Sequence, residues 1–192
     1  MTHYTLIVFS ENLAGLLGQV TSVFTRRQVN IESLNVSPSS IAGVHKYTIT
    51  CYSHEEEIRL ICRMIEKKVD VLQANYYTDD EIFISETALF KLATPKVMEN
   101  PAISRVIRHM GGHVLDLNPT YTVVSAEGAT DYILEFYDRL AEHKCVLQYV
   151  RSGRIAVTRS CTEYLDEFLA ERKRQYEASK QDNYTEANHQ IN

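Results

Sequence analysis

The sequence predicts an α+β fold: two ferredoxin-like β-α-β-β-α-β domains followed by a helical extension. Three observations lead there. Apolar residues switch between alternation, the period of a half-buried strand, and the three-and-four spacing of an amphipathic helix. Gly, Pro and Asn fall at the switches, where turns and caps need them. The order of elements over residues 1–78 then returns over residues 82–159. In each half this order is the split βαβ arrangement, with two helices on one face of an antiparallel sheet.

Tyr4 to Phe9 is rich in β-branched and aromatic residues and reads as a strand buried on both faces near its end. From Gly15 the period changes: Leu16, Val20, Val23, Phe24 and the stem of Arg27 recur at helical spacing. Val29 to Ser37 returns to alternation, Pro38 to Gly43 makes a loop, and Val44 to Tyr52 alternates again as a strand. Ser53 with Glu56 three residues on reads as a capping box. It opens a helix whose face is Ile58, Ile61, Cys62, Ile65 and Val69, and Val69 to Tyr77 closes the half as a fourth strand.

The acidic run Thr78-Asp79-Asp80-Glu81 connects the halves. Ile82 to Ala93 is a strand. Asn100-Pro101 is an N-cap with Pro at the first helical position, and Gly111-Gly112 ends that helix. Its apolar face is Ile103, Val106, Ile107 and Met110. His113 to Leu117 and Tyr121 to Ser125 are strands around an Asn118-Pro119-Thr120 turn. Ile133, Phe136, Tyr137 and Leu140 define a further helix. Cys145 to Val150 is a strand, interrupted by Arg151-Ser152-Gly153 and resumed from Arg154 to Thr158. Residues 160–192 form the extension: Tyr164, Leu165, Phe168, Leu169 and Arg172 keep helical spacing, and Gln181 to Asn192 is a polar tail expected to be disordered.

Composition narrows the function classes. A formal net charge of −5 argues against a nucleic-acid partner, which needs clustered Lys and Arg. No apolar run approaches the roughly 20 residues of a membrane span. The chain enters an apolar strand from Met1-Thr2-His3-Tyr4 with no charged leader, so a cytoplasmic location is expected. Cys51, Cys62, Cys145 and Cys161 form no C-x-x-C pair and read as reduced thiols. The His residues form no i, i+4 pair and no cluster with Cys, so no metal site is expected. The carboxylate runs Glu55-Glu56-Glu57 and Asp79-Asp80 fall in a helix first turn and in the connection, which suits helix-dipole and linker roles better than acid–base chemistry.

The most informative stretch is Glu11-Asn12-Leu13-Ala14-Gly15-Leu16, with Asn30-Ile31-Glu32-Ser33-Leu34 after the helix. A strand-to-helix turn offers amide N–H groups at a helix N-terminus, where a carboxylate is favoured. An Asn amide can both donate and accept, so it serves either end of a zwitterion. Plainer readings stand beside these. Asn12 suits an N-cap, Gly15 suits a tight turn, and Ile31 suits core packing. Asn30 is disfavoured in a strand, which points to a specific polar task.

Glu11-Asn12-x-x-Gly15-Leu16-Leu17, joined to Asn30-Ile31-Glu32-Ser33-Leu34-x-Val36, resembles the small, regulatory subunits of acetolactate synthase, also called acetohydroxyacid synthase, of the ACT-domain family. The likeness continues through Lys68 to Leu72 and Glu86-x-x-Leu89-x-Lys91-Leu92, and more loosely through Asp116 to Val123 and Val150-Arg151-Ser152-Gly153. It implies an amino-acid-sensing ACT domain over 1–78 and an ACT-like domain over 82–159 that activates a catalytic subunit. It further implies that Asn12, Ala14, Gly15, Leu16, Asn30 and Ile31 contact an effector, valine or another branched-chain amino acid, between two first domains paired side by side in a homodimer. Arg151, Ser152 and Gly153 are the candidates for contact with the catalytic (large) subunit, although a plain bulge or turn explains them equally well. The chain itself would carry no catalytic site and no cofactor; thiamine diphosphate, Mg²⁺ and FAD would belong to the catalytic subunit.

Two positions depart from the family pattern. The run Arg27-Gln28-Val29-Asn30 has Gln where the family usually has Gly, and Gln19 stands where an Arg is usual. A left-handed Gln28 would cost on the order of 1 kcal/mol that Gly avoids. Three other classes compete with the regulatory-subunit reading: a stand-alone ACT-type amino-acid sensor, a DNA-linked one, and an enzyme in its own right. The DNA-linked sensor would need a basic recognition helix, and the sole basic run, Arg172-Lys173-Arg174, lies on the acidic extension. The enzyme would need a nucleophile–base pair or phosphate loop, neither of which the sequence offers.

Overall fold

The computed structural model describes residues 1–160 together with 169–170. The first half contains β1 (Thr2–Glu11), α1 (Leu16–Arg26), β2 (Ser33–Pro38), β3 (Val44–Ser53), α2 (Glu55–Glu66) and β4 (Val71–Tyr77). Its antiparallel sheet runs β2-β3-β1-β4. The second half contains β5 (Ile82–Ala93), α3 (Thr94–Glu99), α4 (Pro101–His109), β6 (His113–Leu117), β7 (Tyr121–Gly128), α5 (Thr130–Glu142), β8 (Val146–Arg151) and β9 (Ile155–Thr158). Its sheet runs β6-β7-β5-β8, with β9 also paired to β5. Both halves therefore adopt the expected order, with one short helix, α3, added.

The helices cover one face of each sheet because their apolar stripes leave no alternative to burial. In the first half, Leu6 and Val8 of β1 pack with Leu16, Val20 and Phe24 of α1 and Ile58, Ile61 and Ile65 of α2. In the second, Phe90 lies between Phe136 and Tyr149, with ring centroids at 4.8 and 5.1 Å. The other face of the first sheet is also covered: Thr5, Ile7 and Phe9 are buried as fully as the helix-facing residues. The start of β5 and β9 line a cavity over that face, and Lys46 Nζ donates to the Ala156 carbonyl at 2.8 Å. The halves thus form one compact unit, Met1–Val157, and a second unit begins at Thr158.

Several local expectations change. Ser53 ends β3 and His54 occupies the N-cap of α2, so the Ser53 capping box does not form. The acidic first turn Glu55-Glu56-Glu57 remains and favours the helix dipole. Val69 falls beyond the end of α2 and is 92% exposed, so it belongs neither to the helix face nor to β4. The strand expected from Val29 starts at Ser33, which leaves Asn30 and Ile31 in the preceding connection.

The second half follows the sequence closely. Asn100 Oδ1 accepts from Ala102 N at 3.0 Å, with Pro101 at the first helical position. Gly111, at φ +57°, closes α4 in a Schellman motif: Gly112 N donates to Ile107 O at 2.7 Å and Gly111 N to Arg108 O at 3.2 Å. Cys51, Cys62 and Cys145 are buried thiols, raised by desolvation to about 11 for Cys51 and about 12 for Cys62. Cys161, the polar tail and the expected terminal helix lie outside the described residues, apart from helical Leu169 and Ala170.

Candidate functional site

The β1–α1 turn is built on the backbone of Gly15. This residue is the N-cap of α1 at φ +87°, a conformation that costs any residue with a Cβ about 1 kcal/mol or more. A glycine at the N-cap supplies no side-chain acceptor, so Asn12 is not the helix cap. Asn12 is instead exposed, its N–H donating to Gly43 O at 3.1 Å. Ala14 and Gly15 are exposed beside it, and a methyl built on Gly15 would meet nothing within 4 Å. The side chain of Leu16 is 1% exposed and belongs to the core, which leaves its backbone alone at the turn. Leu13 and Leu17, both more than two-fifths exposed, flank the turn. The sequence reading did not single them out, although apolar residues on the solvent side of a helix start are a legible signal.

Asn30 and Ile31 lie past the other end of α1. That helix closes in a second Schellman motif, Val29 N to Phe24 O and Gln28 N to Thr25 O, both at 3.1 Å. Gln28 sits at its left-handed position with φ +55°, as the sequence implies for this departure from Gly. Asn30 is exposed, and Ile31 packs its side chain against the first core. An 11-residue helix is about 16 Å long, so the Asn12–Gly15 turn and Asn30 of one chain are too far apart to share one amino acid.

Arg151 ends β8, and Ser152 and Gly153 lead from it toward β9. Arg151 and Ser152 are exposed, yet all three are fastened within the chain. Arg151 pairs with Glu86 at 3.2 Å. Ser152 N donates to Thr87 O at 2.9 Å, and Ser152 Oγ accepts from Thr87 N at 3.1 Å. Gly153 takes φ +78°, and a methyl there would lie 3.1 Å from Ser33 Cβ in the first half.

Arg154, next in sequence, is the centre of a buried charge cluster that the sequence reading missed. It donates to Thr130 Oγ1 at 2.8 Å, Asp79 Oδ1 at 2.9 Å and His3 Nδ1 at 2.9 Å, and lies 3.7 Å from Glu86 Oε1. Glu86 is 3% exposed and also accepts from the Thr130 hydroxyl. Desolvation, and then the Arg154 guanidinium, hold the His3 imidazole below its ordinary pKa of 6.5, and Nδ1 of the neutral ring accepts a hydrogen bond from Arg154. One signal was available. Glu86 falls in phase with Ala88, Phe90 and Leu92 on the buried face of β5, where a carboxylate demands a cationic partner.

Among the described residues, no group of three or more His, Cys, Asp or Glu could hold a metal ion, and no helix is long and apolar enough to cross a membrane. Two family models match this chain. Residues 6–73, containing the candidate effector residues, match the small subunit-like ACT domain of acetohydroxyacid synthase (AHAS). Residues 85–160, containing Glu86 and the Arg151–Arg154 run, match the small subunit of acetolactate synthase.

The chain belongs to the acetolactate synthase small-subunit family.

Similar proteins support this along most of the chain. The acetolactate synthase small subunit of Haemophilus influenzae is 29% identical over 154 residues, which cover 80% of this chain and 94% of that protein. The isozyme 3 small subunit of Salmonella typhimurium is 28% identical over 159 residues, with the same two coverages. The crystal structure of the acetolactate synthase small subunit from Thermotoga maritima shares the fold, with a TM-score of 0.76 at 21% identity over 84% of this chain and all of that one. Membership in the acetolactate synthase small-subunit family makes this chain a regulatory subunit.

Proposed function

We propose that this regulatory subunit binds the catalytic subunit of acetolactate synthase, raises its activity, and relays feedback inhibition by a branched-chain amino acid, valine foremost. Two copies pair through their first domains, and the effector sits between the Asn12–Gly15 turn of one and the Asn30–Ile31 segment of the other. Thiamine diphosphate, Mg²⁺ and FAD stay with the catalytic subunit, and this chain contributes no catalytic group. The carrying observation is the β1–α1 turn itself, in which left-handed Gly15 opens α1 beside exposed Asn12, Leu13 and Leu17.

Each part of a bound valine has a matching partner. Its carboxylate suits the first-turn N–H groups of α1, which have no intrahelical acceptor, and the positive end of the helix dipole. Its ammonium suits the carbonyl oxygen of an Asn amide. Its isopropyl group suits Leu13 and Leu17. The length of α1 favours a site shared by two chains, since one chain holds the two segments at opposite ends of that helix. β2, at the outer end of its sheet, supplies an exposed edge along which a second copy can align.

A ligand touching both subunits favours one relative arrangement of them. By linkage, that arrangement must bind or activate the catalytic subunit differently. A coupling of about 1–3 kcal/mol is typical and suffices for useful inhibition. The test is valine inhibition of the reconstituted complex carrying Asn12→Ala: the account expects sensitivity to fall, and unchanged sensitivity counts against it.

A further inference from the structure

The cleft between the halves has a volume of about 490 Å³ and is walled by Glu32–Leu34 and Thr50 on one side and Glu86 and Arg151–Arg154 on the other. Its polar atoms bond to one another. Ser33 Oγ pairs with Thr50 Oγ1 at 2.7 Å, Ser152 with Thr87, and Glu86 with both arginines. Groups already satisfied within each wall leave the cleft a joint rather than a receptor.

We infer that this joint couples the two functional segments within one chain, and that the contact of Gly153 on Ser33 is the coupling element. The inference rests on the proposed effector and activation segments and names how one acts on the other. Ser33 follows Asn30-Ile31-Glu32 without a break, about 10 Å along the chain from Asn30. Glu32 N donates to Thr50 O at 2.8 Å, so the segment is clamped to β3 immediately before Ser33. Opposite it, Gly153 continues the Arg151-Ser152 run, which Thr87 and Glu86 clamp to β5.

The stiffness of the contact follows from its atoms. A side-chain tip can rotate away from pressure, but here the partners are the Cβ of Ser33 and the backbone of a glycine. A methyl on Gly153 would stand 3.1 Å from that Cβ, so no slack exists for one more carbon. Arg154 fixes the far side of Gly153 through His3, Asp79 and Thr130. An effector that shifts Asn30–Glu32 toward Gly153 therefore presses Ser33 on the glycine backbone, and the displacement passes to Arg151 and Ser152 on the surface. This is a two-way linkage, so catalytic-subunit binding at Arg151–Ser152 changes effector affinity by the same factor.

The test uses the full chain with its catalytic subunit and three variants: Ser33→Gly, which withdraws the Cβ, Gly153→Ala, which drives a methyl into it, and both together. Calorimetry on the chain reads valine affinity, and acetolactate formation reads stimulation and maximal inhibition at saturating valine. The inference expects Ser33→Gly to keep valine affinity and stimulation within about twofold while reducing maximal inhibition at least about threefold. It expects Gly153→Ala to lower stimulation without valine at least about threefold, and the double variant to recover the part due to the Ser33 contact, the remainder being the strain of a Cβ at φ +78°. Should Gly153→Ala fail to fold, Ser33→Gly carries the test alone. Wild-type inhibition in Ser33→Gly, or no recovery in the double variant, overturns the coupling while leaving the effector site standing. Absence of valine binding to the wild-type chain overturns the effector reading itself, and the coupling with it.

Discussion

Replacing Glu86 by Gln tests whether the charge cluster holds the two halves together. The carboxylate is 3% exposed and faces Arg151 at 3.2 Å, Arg154 at 3.7 Å and the Thr130 hydroxyl. Removing one partner of a buried ion pair typically costs about 3–5 kcal/mol, because the other charge stays desolvated. Two features reduce the figure here. The Arg151 side chain is 36% exposed and can hydrate, and Arg154 keeps Asp79 at 2.9 Å. The expected loss is therefore about 2–3 kcal/mol, read as a fall of about 1 M in the urea midpoint of unfolding followed by circular dichroism. Asp79→Asn is the control. Its carboxylate is 46% exposed, so its loss should stay below about 1 kcal/mol. A Glu86→Gln loss under about 0.5 kcal/mol, the range of ordinary surface changes, would refute the reasoning.

Three further outcomes follow from single positions. Gly112→Ala places a methyl 2.9 Å from Phe136 Cζ and Val124 Cγ1, so overpacking should cost about 1–3 kcal/mol in thermal or urea unfolding. Gln28→Gly relieves a left-handed backbone at φ +55° and should raise stability by about 0.5 kcal/mol, with an unchanged or lower melting temperature as the contrary result. His3 is depressed below 6.5 by burial and by Arg154, so the unfolded chain binds its proton more readily than the folded one. The stability this supplies is complete above about pH 6.5 and drains as pH falls below it. Between about pH 7.5 and about pH 5.5 the wild type should lose more stability than His3→Asn, and equal losses would contradict the assignment.

The second half shows why local signals can be trusted where they are local. β5 spans Ile82–Ala93 and β6 spans His113–Leu117, as the alternation implies, because each carries its own period and is bounded by turn residues. Asn100 and Gly111 cap α4 where their backbone and side-chain preferences put them. Val69 misled because it continues the helical spacing of Ile58 to Ile65, although the helix has already ended at Glu66. Ser53 misled in a related way: its side chain suits a cap, but its backbone is committed to the ladder with Thr2 of β1.

The candidate site divides along the same line. Gly15 and Gln28 were legible because a positive φ is a property of one residue and its neighbours. Asn30 was placed in a strand by its alternating successors, while the Schellman closure of α1 keeps it in the connection. The cluster of His3, Asp79, Glu86 and Arg154 joins residues up to 151 positions apart, so no spacing along the chain announces it. Only the burial phase of Glu86 hinted that a cation must come from elsewhere.

The most direct measurement is acetolactate formation by the catalytic subunit, titrated with this chain, with and without valine. The account predicts that the rate rises as the chain is added, saturates at a fixed ratio, and falls again when valine is supplied. A rate that never responds to the chain, or a stimulated rate that no branched-chain amino acid lowers, would contradict it.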